Sequence, residues 1–540
     1  MVQKVAVIGA GISGLTSIKS CLEEGLEPTC FESGPDIGGL WRFKEEPEPG
    51  RANIYETVVL NTSKERMAFS DFPPPAQLPN NMHHSEVLLY LRLYAQNFGL
   101  LPHIRFKTAV VGVRQTTDFD VTGQWEVETE ALDGRRQREV FDAVIVSTGC
   151  FTTPHLPLKE FQGLESFNGK YFHSWEYRNT DGLQGKRVVV IGIGSSGGEI
   201  AVDISRVAEK VYLSSRSGAW VVSRVGPRGL PVDMVHITRM DRILQKLFPS
   251  LSNKMTEKIF NKVFDHELYG LKPRHRIFQH NVVVSDNLPA QIISGRVQLK
   301  PNIKQFCGST LVFADGSSVE KVDVVVFATG YNYSFPFLPL ALQEKSGHRL
   351  CLYKHVFPPR LSRPTLAVVG FISGLGSFTP LAEMQARWAT RVFKGLSNLP
   401  TEQTMLDDIA TETETMHKRY VCSERTPIHV PWIPYLDFLA TEIGVRPSMM
   451  RLLLSDPKLA LQVFFGPCTS YQYRLTGPGH WDGARQAIFS QWDRVLRPFN
   501  SKVVPKAFKI RLVPRMRIAS KLSMVLFSGA ALLYGSFNNI

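Results

Sequence analysis

Two strand–turn–helix stretches, VAVIGAGISGL from Val5 and VVVIGIGSSGGEI from Val188, predict an α/β fold with two Rossmann-like units. Two apolar runs, FDAVIVSTG at 141–149 and VDVVVFATG at 322–330, close on the same Thr-Gly pair, so each opening stretch has its own later strand. That nesting predicts that the second unit is inserted in the first. A third observation, the uncharged run LSMVLFSGAALLYGSF after Lys521, adds a C-terminal hydrophobic membrane anchor.

Taken in order, the first unit begins with a strand at 5–9, turns through Gly9-x-Gly11-x-x-Gly14 into a helix, and reaches a strand ending in Glu32. The polar, Pro-rich DFPPPAQLP (71–79) follows, and Ser85 reads as the N-cap of the amphipathic helix EVLLYLRLYAQNF. His83 and His84 read as loop residues, since no partner ligands stand at metal-binding spacing. FDAVIVSTG has the continuous apolar character of a strand buried on both faces.

The second unit opens with GKRVVVIGIG at 185–194 and continues through the helix IAVDISRVA to the strand VYLSS. Helical patterning recurs near 240–265 before VDVVVFATG closes the unit. PTLAVVGF (364–371) reads as a late strand returning to the first sheet, leading into the helix TPLAEMQARWATRVF. Residues from about 395 to 500 read as helices and loops covering the outside.

A chain of 540 residues exceeds one ordinary core, and 43% apolar with 21% charged content excludes a disordered or fibrous protein. Its seven cysteines are scattered without a CxxC pair, which predicts no metal site and a reducing compartment. No room for a secretory leader precedes Val5, so the Asn61 and Asn332 sequons read as chance matches. Of the net charge of +13, seven charges fall in 501–540, which contain no acidic residue. Cations beside an apolar segment suit anionic headgroups better than nucleic acid.

The glycines of each turn let the backbone approach a pyrophosphate, which the helix N-terminus then faces. In the first copy Gly9, Gly11 and Gly14 are joined by Glu32, placed 21 residues after Gly11 to accept bonds from ribose hydroxyls. In the second copy Gly192, Gly194, Ser195, Ser196 and Gly197 lead to Ser215 and Arg216, with Arg224 beyond. A carboxylate repels a 2′-phosphate, whereas a guanidinium pairs with it. The first site therefore reads as FAD or NAD and the second as NADPH. Together they form a hydride relay in which NADPH reduces FAD. No cysteine lies between Cys30 and Cys150, so a disulfide reductase is excluded and dioxygen is the leading acceptor.

Between the two units, FNGKYFHSWEY gives Phe167-x-Gly169-x-x-x-His173-x-x-x-Tyr177. With DIGGLW (36–41), LNTSKERMAFSDFP (60–73), FATGY (327–331) and YRLTGPGHWDGAR (473–485), this resembles the animal flavin-containing monooxygenases of the class B flavoprotein monooxygenases, the dimethylaniline N-oxide-forming type. The resemblance covers essentially the whole chain. It implies FAD and NADPH as cofactors and a C4a-hydroperoxyflavin that oxygenates soft nitrogen or sulfur nucleophiles of small molecules with O2. Alternatives are Baeyer–Villiger oxygenation of ketones, since FDHELYGLKPRHR (264–276) resembles the ester-forming branch, or an uncoupled NADPH oxidase releasing hydrogen peroxide.

The resemblance adds Gly39, Leu40, Trp41 and Thr62 to the cofactor-binding set, and gives Asn61 a hydrogen-bonding role beside the flavin ring. His173 is expected to position the domain interface rather than act as a base. The implied domains are 1–150 (FAD-binding, first part), 151–184 (linker), 185–330 (NADPH-binding, with a helical insertion), 331–445 (FAD-binding, second part), 446–500 (C-terminal cap) and 501–540 (basic segment and anchor). The implied location is the endoplasmic reticulum membrane, with the catalytic body facing the cytosol. Two departures stand out. Ser195 replaces the usual asparagine of the second glycine box, which predicts weaker cofactor retention, and Cys150-Phe151 stand where the family tends to carry histidine.

Overall fold

The computed structural model describes residues 2–343, 350–374, 376–419 and 428–499. The chain enters through β1 (Lys4–Ile8), α1 (Ile12–Glu23) and β2 (Glu27–Glu32). A short helix α2 (Lys64–Met67) and the longer α3 (His84–Asn97) precede β3 (Ile104–Phe106) and β4 (Ala143–Val146). Between β3 and β4 lies an antiparallel sheet of Thr108–Gln115, Trp125–Ala131 and Arg136–Phe141, which the periodicity did not announce. Its outer strand Arg136–Phe141 is polar and largely exposed, so it carries no core signal.

The chain then builds a second sheet from β5 (Lys170–His173), β6 (Arg187–Ile191), β7 (Lys210–Ser214), β8 (Val297–Lys300) and β9 (Val324–Phe327). Helix α4 (Ser195–Ile204) connects β6 to β7, and α5 (Arg239–Leu247) and α6 (Pro249–Asn261) lie in the excursion before β8. β10 (Leu366–Val368) returns to the first sheet, followed by α7 (Phe378–Phe393), α8 (Trp432–Ile443) and α9 (Ala484–Leu496).

Both sheets are parallel, in the orders β10-β4-β1-β2-β3 and β8-β7-β6-β9-β5. The chain thus leaves the first sheet after β4 and returns at β10. Both Thr-Gly runs sit next to the opening strand of their own sheet, β4 beside β1 and β9 beside β6. The FxGxxxH stretch is more than a connection, because its residues Lys170–His173 form an edge strand of the second sheet.

Two local readings change. The N-cap of α3 is His83 rather than Ser85: the His83 ring accepts from the Ser85 N–H, and Glu86 accepts from the His83 N–H at 2.8 Å. An imidazole replaces the hydroxyl of an ordinary capping box. The region after 395 is also more than a cover. α8 buries Leu436 and Leu439 in the same core as Leu15 and Trp388, and Gln385 of α7 donates to the Tyr435 hydroxyl at 2.8 Å. Among the described residues no helix is long and apolar enough to cross a membrane. The apolar tail expected to anchor the chain lies outside those residues.

Candidate cofactor and active site

At the end of β1 the backbone turns at Gly9 with φ 98°, a region open to glycine. A Cβ on Gly14 would stand 1.8 Å from the Gly9 carbonyl oxygen, so α1 can lie against the turn only with glycine there. Gly11 caps α1 without a side chain, which leaves the first N–H groups of the helix open to a ligand. Gly39 meets Gly11 closely: a Cβ on Gly39 would stand 3.0 Å from the Gly11 Cα.

Glu32, at the end of β2, is 8% exposed and accepts from the Ala10 N–H at 2.9 Å and the Gly34 N–H at 2.6 Å. Arg51 lies 3.5 Å from the same carboxylate. An ionised carboxylate offers about four acceptor positions, so one remains toward the cavity. Glu32 therefore pins the turn as well as facing the ligand space.

Gly9, Gly11, Glu32, Gly39 and Arg51 border a cavity of about 650 Å³ that also takes in Leu40, Trp41, Asn61 and Thr62. The cavity is also lined by Gly370, Ile372 and the start of α7, which lie beside the start of α1: a Cβ on Gly370 would stand 2.1 Å from Ser13 Oγ. There the N-cap Ser377 makes no side-chain bond to the helix, so a second set of helix N–H groups opens on the cavity. A space of this size bordered by two uncapped helix starts, a glycine turn and a ribose-directed carboxylate fits a dinucleotide carrying a polar ring. Sequence reasoning missed Ser33, Lys44, Arg51 and the 148–153 stretch, all of which border this cavity, because loop residues carry no periodic signal. Cys150 lies there as a buried thiol that burial pushes up to about 12, and so as an inert one.

The second turn repeats the device. Gly192 has φ 106°, a Cβ on Gly197 would stand 1.9 Å from the Gly192 carbonyl oxygen, and Gly194 caps α4. Ser195 and Ser196 are exposed at the helix start. Ser215 accepts from the Gly218 N–H at 3.0 Å, and Arg216 is exposed, with no ion pair among the described residues. Ser195, Ser196 and Arg216 thus stand together at the carboxyl ends of β6 and β7.

The Arg224 guanidinium is 8% exposed and donates to Asp286 at 3.0 Å, Glu199 of α4 at 3.2 Å and Asn61 Oδ1 at 2.8 Å. It thus joins the helix of the second glycine turn to a residue that borders the first cavity. The two units meet around that point. Ser63 donates through its N–H (2.7 Å) and hydroxyl (3.1 Å) to Asp233, and Thr57 and Tyr177 both donate to Asp203, at 3.1 and 2.8 Å.

His173 is fully buried in that joint. Its Nε2 bonds the Gly330 carbonyl at 3.0 Å while Nδ1 accepts from the Trp175 N–H at 3.0 Å, which fixes a neutral tautomer. Burial pulls its imidazole down to about 4, opposed by the Gly330 carbonyl and reinforced by His155. Between that value and about 6.5 the unfolded chain binds a proton that the folded chain refuses, so stability falls with falling pH through this window. The expected loss is about 3 kcal/mol at most. Melting curves at pH 7, 5 and 4 should show a flatter acid slope for His173→Gln; an unchanged slope would clear His173 of this role.

A family model described as flavin-binding monooxygenase-like matches residues 2–534. The chain is 51% identical over 506 residues to flavin-containing monooxygenase 5 of Cavia porcellus, covering 94% of this chain and 95% of that one. It is 49% identical over 505 residues to dimethylaniline monooxygenase (N-oxide-forming) 2 of Macaca mulatta, covering 93% and 94%. Among solved structures, S-allyl-L-cysteine S-oxygenase from Allium sativum superposes with a TM-score of 0.63 at 27% identity, covering 91% of this chain and 98% of that one. Cyclohexanone monooxygenase from Rhodococcus sp. Phi1 bound to NADP+ shares the fold, with a TM-score of 0.57 at 17% identity over 82% of this chain and 98% of that one.

Proposed function

From the premise that the chain belongs to the flavin-binding monooxygenase-like family, as an NADPH-dependent flavin oxidoreductase using FAD, we propose that it oxygenates soft nitrogen or sulfur atoms of small molecules. The observation that carries this reading is the position of Asn61, which borders the dinucleotide-sized cavity and is bonded on its other side to the second unit. When bound, FAD supplies hydride acceptance from NADPH and activation of O2 at its C4a carbon.

The residues of the chain have the complementary tasks. Residues 1–150 and 331–445 hold FAD through Gly9, Gly11, Gly14, Glu32, Gly39, Leu40, Trp41 and Thr62. Residues 185–330 hold NADPH through the second glycine turn and Arg216. Asn61 offers a hydrogen bond at the reacting edge of the ring. No general base is needed there, because the nucleophile is the substrate's own lone pair and the protein's task is to keep water out. The S-oxygenase among the structural relatives supports heteroatom transfer as the reaction type.

The decisive experiment counts NADPH consumed, hydrogen peroxide released and product formed on one small molecule bearing both a thioether and a ketone. Sulfoxide matching NADPH is the expected result. Ester in its place would assign Baeyer–Villiger chemistry, and peroxide alone would mark an uncoupled oxidase with Ser195 as the first residue to restore to asparagine.

Arg216→Ala is expected to raise the Michaelis constant for NADPH by about 10- to 100-fold and leave that for NADH nearly unchanged, since a charge-assisted bond worth 1.5–3 kcal/mol is lost. Equal effects on both coenzymes would remove the 2′-phosphate assignment. We also place the chain on the endoplasmic reticulum membrane through 501–540, on the strength of its seven cations and apolar run. Deleting those residues should release the protein from microsomal membranes. A truncated chain that stays in the pellet would move attachment to the exposed Ile243, Leu247 and Leu251 of α5 and α6.

A further inference from the structure

We propose that Arg224 is the positioning residue for Asn61, fixing from the inserted unit which end of that amide faces the flavin cavity. The proposal rests on the reading of Asn61 given above and assigns the control of its orientation.

A guanidinium has only donors. Its contact with Asn61 at 2.8 Å therefore sets the amide oxygen toward Arg224 and turns the NH2 group away. Among the described residues Asn61 Nδ2 has no hydrogen-bond partner, and Asn61 is exposed where it borders the cavity. Its two N–H donors are thus the end presented to a cavity occupant. The flipped amide would set donors against donors at the Arg224 contact.

The arginine is itself held at both ends. Asp286 accepts from the Arg224 backbone N–H at 2.8 Å and from its guanidinium at 3.0 Å, and also from the Ser223 hydroxyl at 2.6 Å. Burial pushes the Asp286 carboxyl up, but the bonds from Ser223 and Arg224 outweigh it and hold it below the usual carboxylate range. Glu199, on the helix that starts at the second glycine turn, takes another N–H of the guanidinium. Two carboxylates against one guanidinium leave local negative charge, which repels a phosphate and argues against Arg224 as a 2′-phosphate ligand.

The same loop is gripped a second time. Asp233, itself buried, accepts both the N–H and the hydroxyl of Ser63, two residues beyond Asn61. The backbone of the Asn61 loop and the orientation of its amide are therefore both set by the unit that carries the second turn. Seating of that unit and presentation of the Asn61 donors become one event.

The test compares full-length, FAD-loaded enzyme bearing Arg224→Met, Arg224→Lys, Asn61→Ala, Asn61→Asp, and the Arg224→Met, Asn61→Ala pair. Product and peroxide per NADPH are read on a thioether, with Michaelis constants for NADPH and NADH. Arg224→Met should lower product per NADPH about 10- to 100-fold, the usual effect of losing a group that orients a reacting residue. Both Michaelis constants should shift by the same factor. Arg224→Lys should recover part of the coupling, because one ammonium can reach Asn61 without also holding Asp286.

Asn61→Asp keeps an acceptor for Arg224 but loses the NH2 group, so it should be as uncoupled as Asn61→Ala. The double variant should be no worse than Asn61→Ala alone. A rise in the Michaelis constant for NADPH only, or additive losses in the pair, would overturn the proposal. If Arg224→Met fails to retain FAD, Arg224→Lys decides, and coupling there as low as in Asn61→Ala overturns the proposal. Full coupling in Asn61→Ala would instead remove the underlying reading of Asn61, and with it this one.

Discussion

Gly14→Ala is expected to yield a protein that purifies almost without flavin, its FAD content reduced at least about 10-fold. The added Cβ would stand 1.8 Å from the Gly9 oxygen and 2.8 Å from the Gly9 carbonyl carbon. Neither side can yield cheaply. Gly9 already occupies φ 98°, and α1 is buried from Ile12 through Cys21 and packed against α7. Relief requires the helix start to retreat from the cavity, which removes the N–H groups that face the pyrophosphate. Overpacking of this kind costs about 1–3 kcal/mol or more in stability.

Gly197→Ala is the matched control, since its Cβ would meet the Gly192 oxygen at 1.9 Å in the other unit. That variant should keep its flavin absorbance and lose reduction by NADPH. The ratio of flavin to protein absorbance, read on both purified proteins, separates the two. Full flavin content in Gly14→Ala would mean that the first turn does not hold the cofactor.

Arg474→Leu is expected to cost about 3–5 kcal/mol and to lower the melting temperature by about 3–4 °C. The Arg474 side chain is 1% exposed, and it bonds elements far apart in the chain. It donates to Ser70 at 2.7 Å, to Glu23 of α1 and the Gly479 carbonyl at 3.1 and 2.8 Å, and to Glu383 of α7 at 3.2 Å, with Asp71 at 3.1 Å. Leucine fills the space but leaves Glu383 and Asp71 as buried carboxylates short of a partner. Lys19 still reaches Glu23 and Asp71, at 2.6 Å each, and would soften the loss at those two but not at Glu383. Flavin fluorescence during heating reads the effect directly, because Ser70 and Asp71 lie on the chain just beyond the Asn61 loop. A shift below about 1 °C would mean that the network is compensated elsewhere.

The sequence by itself determined the two glycine turns, the strands that flank them, the return of residues 366–368 to the first sheet, and the contrast between Glu32 and Arg216. Each rests on neighbours in the chain: apolar runs of strand length, glycines where only glycine fits, and a charge at the end of a strand. The cap at His83 was misread as Ser85 because an imidazole seldom takes that position and only the tertiary setting brings its ring to the Ser85 N–H.

Tertiary structure alone decided the rest. Lys170–His173 joins the second sheet by pairing with Val324–Phe327, more than 150 residues away. Arg224 bonds Asn61, 163 positions earlier, and Arg474 reaches Glu23 across 451. Such partners are chosen by where packed sheets and helices bring side chains together, and a guanidinium in a sequence carries no mark of the carboxylate or amide that will meet it. Local periodicity and turn chemistry write the frame into the chain. The hydrogen bonds that orient the reacting groups exist only once that frame has closed.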